Sequence, residues 1–89
     1  MKSIITVLGK DKVGIIAKVC ECLSTKNINI LDISQTIVNG YFNMMMIVDM
    51  TNATDSMEIV ADSLAEVGKE LGVIINIQHE DIFKSMHRI

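Results

Sequence analysis

A glycine-flanked run near the N-terminus contains the residue types best suited to bind a polar ligand. It extends from Gly9 to Ile15 and reads Gly-Lys-Asp-Lys-Val-Gly-Ile. If a helix begins there, its first backbone N–H groups have no helical partners and carry a partial positive charge, which suits a carboxylate. Gly14 would let the backbone come close to a ligand, and Asp11 could cap the helix or accept an ammonium group.

Two polar residues at the start of the next strand complete this candidate site. Asn29 and Asp32 could hydrogen-bond the other polar end of the same ligand. One hypothesis is therefore an α-amino acid site formed by Gly9, Lys10, Asp11, Lys12, Val13, Gly14, Ile15, Asn29 and Asp32. The alternative is structural: both glycines permit only a tight turn and close packing, Asp11 only caps, and Asn29 only ends a turn.

Six elements would position these residues. Apolar residues spaced three and four apart predict the helices, and short runs rich in Ile, Val and Thr predict the strands. The resulting order is strand 3–8, helix 12–25, strand 28–38, strand 41–50, helix 55–71 and strand 73–79. The dipeptide Asn39-Gly40 predicts a tight hairpin between the two central strands. Asp55, with Glu58 three residues later, predicts a capping box at the start of the second helix.

The hairpin strands are apolar on both faces. Alternation predicts one core face made of Phe42, Met44, Met46, Val48 and Met50. The apolar phase of the preceding strand slips, which predicts a β-bulge near Leu31 or Asp32. The opposite face is expected to carry Met45, Ile47, Ile33, Ile37 and Ile74. That is more apolar surface than a small monomer exposes, so the pattern predicts a homodimer or higher homo-oligomer.

The element order predicts an α+β fold. A βαββαβ order with one tight central hairpin is typical of the ferredoxin-like sandwich, a four-stranded antiparallel sheet with two helices on one face. The length of 89 residues allows one domain. With 3% aromatic residues, the sheet could not form the stacking platform of a sheet-type RNA-binding domain.

Charge and hydropathy exclude two further classes of partner. A formal net charge of -3 provides no positive field for nucleic acid. No apolar run approaches the roughly 20 residues of a membrane span. The apolar N-terminal stretch ends at Leu8, before a charged run, which does not fit a signal peptide. We therefore expect a cytoplasmic protein that binds neither nucleic acid nor membrane.

The residues do not favour catalysis or a metal cofactor. The sequence has one arginine, Arg88, which cannot form the phosphate loop of an acylphosphatase-like enzyme in the first turn. His79 and His87 have no convincing nucleophile partner. Cys20 and Cys22 are two apart on a predicted helix, so their side chains diverge and should not bridge. The expectation is a non-enzyme without a cofactor.

The run Leu8 to Ile16, followed after the helix by Asn27-Ile28-Asn29-Ile30-Leu31-Asp32-Ile33, resembles the ACT family. The resemblance covers residues 1–80 and implies a regulatory sensor that binds an amino acid or related metabolite between two domains. Many ACT domains have Pro where this chain has Val13. Residues 81–89 resemble the tail of short bacterial relatives and are expected to pack on the domain or its partner subunit. The alternative function is a ligand-free interaction module that docks on a larger enzyme or regulator.

Overall fold

Four strands and two helices follow one another in the βαββαβ order that the sequence predicts. The computed structural model describes residues 2–10 and 13–79. The elements are β1 (Lys2–Lys10), α1 (Ile15–Thr25), β2 (Asn29–Val38), β3 (Tyr41–Asp49), α2 (Met57–Leu71) and β4 (Ile74–His79). All strand pairs are antiparallel and the sheet order is β2-β3-β1-β4. The predicted α+β ferredoxin-like fold is confirmed.

The core lies between the two helices and one face of the sheet. Every residue of the predicted core face of β3 and its continuation, from Phe42 to Met50, is buried. The helices bury apolar residues at helical spacing, and β1 and β4 contribute alternate residues. The main helical and strand contributors are Ile15, Val19, Leu23, Val60, Leu64, Ile5, Val7 and Ile75. The other face of the sheet, which we call the open face, points away from both helices.

One polar side chain lies in this core without a partner. The Ser3 side chain is fully buried, and its Oγ has no hydrogen-bond partner among the described residues. A buried hydroxyl without a partner costs about 1–3 kcal/mol. We therefore expect Ser3→Ala to raise the free energy of unfolding by about 1 kcal/mol in urea denaturation. Ser34→Ala, at an exposed position of β2, should change it by less than about 0.5 kcal/mol. A loss of stability in Ser3→Ala would contradict this account.

Both helices begin later than predicted. Helix α1 begins at Ile15 rather than at residue 12, because Gly14 takes the N-cap position with φ 92°. Asp11, the predicted cap, lies outside the described residues. Helix α2 begins at Met57, and its N-cap is Ser56, whose Oγ accepts a hydrogen bond from the Ile59 N–H.

The capping role predicted for Asp55 is wrong. The Asp55 carboxylate instead accepts a hydrogen bond from the Lys26 ammonium, with 2.9 Å between Nζ and Oδ2. This hydrogen bond raises the pKa of Lys26 above its usual range. The backbone N–H of Thr54 also donates to the Lys26 carbonyl at 2.9 Å. Asp55 therefore links the end of α1 to the loop before α2, and Ser56 caps α2 instead.

The predicted turns and the bulge are confirmed. Asn39 and Gly40 have positive φ values of 52° and 79°, as the tight hairpin requires. Gly72 ends α2 with φ 74°. The register between β2 and β3 shifts between Ile30 and Asp32. The β-bulge therefore lies at the position where the apolar alternation of the sequence changes phase.

The faces assigned to Ile33 and Ile37 are wrong. Ile33 pairs with Met46 and Ile37 pairs with Phe42, so both lie on the helix side of the sheet rather than on the open face. The bulge shifts the alternation of β2 by one residue and causes this change. Both side chains remain exposed because β2 is an edge strand, and Ile37 is 57% exposed.

The two cysteines do not bridge, as predicted. Cys20 and Cys22 are free and half-buried against the core. Burial raises the pKa of the Cys22 thiol, which keeps it protonated at neutral pH. Within residues 2–10 and 13–79, neither helix has the length and apolar content needed to cross a membrane.

Candidate functional site

The start of α1 exposes backbone donors. Gly14 is exposed, has φ 92°, and has open space where a Cβ would lie. The first N–H that bonds within the helix is that of Lys18, which donates to the Gly14 carbonyl at 2.9 Å. The N–H groups of residues 15–17 have no helical partner, and no described side chain caps them. The first turn also lacks acidic residues, so this helix start can accept an anion.

The described residues on either side of positions 11 and 12 are open to solvent. Val13 is fully exposed, although it is an apolar residue, and Lys10 is also exposed. Ile15 is 2% exposed and anchors the loop to the core. Asp11 and Lys12, the other predicted ligand-binding residues of the loop, lie outside the described residues. The roles predicted for this loop therefore stay predictions, with an exposed set of donors as their structural basis.

Gly9 has a packing role that needs no ligand. A Cβ built on Gly9 would lie 2.5 Å from the Cγ1 atom of Val73. A Cβ built on Gly68 would lie 2.7 Å from the Val73 carbonyl oxygen. Val73 is therefore in close contact with two glycines, one from β1 and one from α2. The sequence pattern indicates Gly9 but not Gly68 or Val73, because the contact joins β1 to residues near the other end of the chain.

Asn29 and Asp32 lie far from Gly14 within one chain. Lys10 pairs with Tyr41 at one end of the sheet, whereas Asn29 pairs with Asp49 and Asp49 with Lys2 at the other end. The eight residues between these rows correspond to about 26 Å. Asp32 is opposite Ile47, and Ile47 is opposite Ile4, six residues from Lys10, or about 20 Å. A single chain does not bring the two halves of the predicted site together.

The polar residues at the Asn29 end are engaged locally. The Asp32 carboxylate accepts a hydrogen bond from the Ile33 N–H at 2.9 Å. The Asp49 carboxylate accepts bonds from the Thr51 hydroxyl at 2.6 Å and the Thr51 N–H at 3.0 Å. These bonds lower the pKa of Asp49, and the bond from the Thr51 hydroxyl has the larger effect. The Asp49 carboxylate therefore stays ionised at neutral pH.

A groove lies on the outer side of β4. Its volume is about 670 Å³, and it lies between α2 and the start of β4. It is lined by Asp62, Ala65, Glu66, Lys69, Val73, Ile74 and Ile75. Among the predicted site residues that the structure describes, none lines this groove. The described residues contain no cluster of three or more His, Cys, Asp or Glu side chains that could hold a metal ion.

Comparison with known proteins identifies the family. The family model for the ACT domain matches residues 3–78. The chain is 57% identical over 88 residues to a UPF0237 protein of Bifidobacterium longum. This match covers 99% of this chain and 98% of the relative. It is 48% identical over 86 residues to a UPF0237 protein of the archaeon Methanocaldococcus jannaschii, with 97% and 96% covered. The family is therefore not restricted to bacteria.

Solved structures support the same assignment. An ACT domain protein from Streptococcus pneumoniae superposes with a TM-score of 0.81 at 42% identity, covering 93% of each chain. A formyltetrahydrofolate deformylase from Pseudomonas syringae has a TM-score of 0.80 at 22% identity; the match covers 88% of this chain and 27% of that one, and shows the fold alone. The resemblance found in the sequence is confirmed, and the chain belongs to the ACT domain family, whose members are typically ligand-binding regulatory domains.

Proposed function

We propose that this protein is a non-catalytic, cytoplasmic sensor that binds an amino acid or related metabolite between two copies of the chain. The observation that carries the proposal is the start of α1, where no described side chain caps the N–H groups of residues 15–17. Such donors fit the carboxylate of an amino acid. The regulatory character of the ACT family supports the same function. No cofactor is part of the proposal.

The edge strand β2 supports a second copy. All ten residues from Asn29 to Val38 are exposed, and one side of the strand has no partner strand in the sheet. Asp32 is the one charged residue in this strand. A long apolar edge strand offers unpaired N–H and C=O groups to another chain. Pairing of β2 with the β2 of a second copy would satisfy these groups and cover Ile33 and Ile37.

This pairing would also assemble the predicted site. In an antiparallel, two-fold arrangement, the Val38 end of one β2 lies beside the Asn29 end of the other. Val38 is in register with Tyr41 and Lys10, next to the loop that leads to Gly14. The Gly14 loop of one copy and the Asn29 end of its partner thus come to the same end of the joint sheet. In the proposed dimer, each site therefore combines the Gly14 loop of one chain with the Asn29 end of the other.

The same geometry gives a mechanism for sensing. A ligand that contacts both copies binds the dimer more tightly than the monomer, so it stabilises the dimer. Ligand concentration then shifts the population of dimers or the angle between their subunits. Such a change is the signal that a regulated partner could read.

Calorimetric titration with a panel of amino acids tests the proposal. The parent chain should bind at least one of them. Gly14→Asp should weaken binding about tenfold or more, because the new carboxylate competes for the same N–H groups and repels a carboxylate ligand. Ala65→Asp is the control, because it adds the same charge at an exposed position of α2, outside the predicted site and the β2 edge. It should leave the affinity unchanged.

The outcome also separates the alternative function. No binding of any amino acid or related metabolite by the parent chain would contradict the sensor proposal and favour a ligand-free module that docks on a larger enzyme or regulator. The exposed β2 edge would then be the docking surface for that partner. Equal loss of affinity in Gly14→Asp and Ala65→Asp would contradict the assignment of the site to the start of α1.

A further inference from the structure

Ile4 is buried on the face of the sheet that points away from both helices. It lies in β1 between Ile47 of β3 and Gln78 of β4, and it is 5% exposed. Leu8 lies on the same face of the same strand, also between residues of β3 and β4, yet it is 50% exposed. Flanking strands alone therefore do not account for the burial of Ile4.

The position of Ile4 indicates which part of the chain can cover it. Gln78 is the cross-strand neighbour of Ile4, and β4 ends one residue later at His79. Strands are about 4.8 Å apart, so the chain leaves the sheet within about 10 Å of Ile4. Residues 11 and 12 follow the opposite end of β1.

The segment that follows β4 has a suitable apolar side. Spacings of four and three on a helix put Ile82, Met86 and Ile89 on one side, with Phe83 beside them. Lys84 and Arg88 lie on the opposite side. We propose that residues 81–89 dock on the open face of their own chain as a short amphipathic helix, with this apolar side covering Ile4 and Ile47. The chain itself then closes this end of the open face, which leaves the β2 edge for a second copy.

A double-mutant comparison tests this docking independently of any ligand. Ile4→Thr is made in the full chain and in a chain that ends at Glu80, and unfolding is followed in urea. In the full chain, Ile4→Thr should lower the folding equilibrium constant about tenfold more than in the shortened chain, where Ile4 is already exposed. Leu8→Thr is the matched control, because Leu8 is exposed on the same face. Its effect should be the same in both chains.

Two results would overturn the docking. One is an equal effect of Ile4→Thr in the full and shortened chains. The other is a difference that grows with protein concentration, because a second copy would then be the occupant. If the shortened chain does not fold, the full chain decides: nuclear Overhauser effects should join the Ile4 methyl groups to the Phe83 ring or the Met86 methyl. Absence of any such contact between Ile4 and residues 81–89 would also overturn it.

Discussion

Gly9→Ala is expected to lower the free energy of unfolding by about 2–3 kcal/mol, although alanine normally favours a folded strand over glycine. The added methyl group would lie 2.5 Å from Cγ1, 2.9 Å from Cβ and 3.1 Å from Cα of Val73. These atoms cannot all move away, because Val73 is 8% exposed and its N–H donates to the Gly68 carbonyl at 2.8 Å. The new methyl group therefore has to displace the backbone at the start of β4. Urea denaturation measures the change.

The partner of this clash can be removed to test its origin. Val73→Ala deletes the Cγ atoms and should recover at least about 1 kcal/mol of the loss caused by Gly9→Ala, so the two changes should be non-additive. Gly14→Ala is the matched control, because open space surrounds Gly14 and its φ of 92° is the main source of cost. It should cost about 1–2 kcal/mol and be additive with Val73→Ala. Additivity of Gly9→Ala with Val73→Ala would contradict the packing role of Gly9.

The comparison of sequence with structure separates local from long-range information. The hairpin at Asn39-Gly40, the helical stripes and the buried face of β3 follow from patterns within a few residues, and all are confirmed. Ser56 replaces Asp55 as the cap of α2 because Lys26, 29 residues away, takes the Asp55 carboxylate. The contact with Lys26 cannot be predicted from the spacing of Asp55 and Glu58 or from local propensity. Local reasoning fails where a distant contact decides between two neighbouring residues.

The same limit applies to the edge strand. The phase slip of β2 predicted a bulge, but the face of Ile33 beyond the bulge depends on which residue of β3 it meets. The register with Met46 places it on the helix side. The correction changes the expected contact between copies, because the surplus apolar surface shifts from the open face toward the free edge of the sheet.

The two groups of residues in the candidate site are close in the sequence but far apart in one folded chain. The exposed helix start at Gly14 follows from the glycine and the apolar stripe behind it. The two groups of predicted site residues are near each other in the sequence, yet the first strand and helix carry the chain to one end of the sheet and back. Asn29 therefore begins at the end of the sheet opposite Gly14. Only a second chain can bring the two groups together.

Ile37→Asp, combined with Ile33→Asp, is expected to convert a dimer into a monomer. Light scattering of the parent chain at micromolar concentration should give twice the 9.9 kDa mass of one chain. Two buried carboxylates without partners at the β2 edge should raise the dissociation constant at least about 100-fold. Both positions are exposed in the single chain, so the fold should be retained. Ile74→Asp is the control, since Ile74 is 62% exposed but lies on β4 at the other edge of the sheet.

The same variants link assembly to binding. If the Gly14 loop and the Asn29 end of two chains form one site, the monomeric double variant should lose affinity for the amino acid that the parent binds, whereas Ile74→Asp should keep both the dimer and the affinity. A parent chain that scatters as a 9.9 kDa particle would contradict the dimer. A monomeric variant that binds with unchanged affinity would contradict the shared site, because a chain whose two groups are about 26 Å apart cannot hold one small ligand with both.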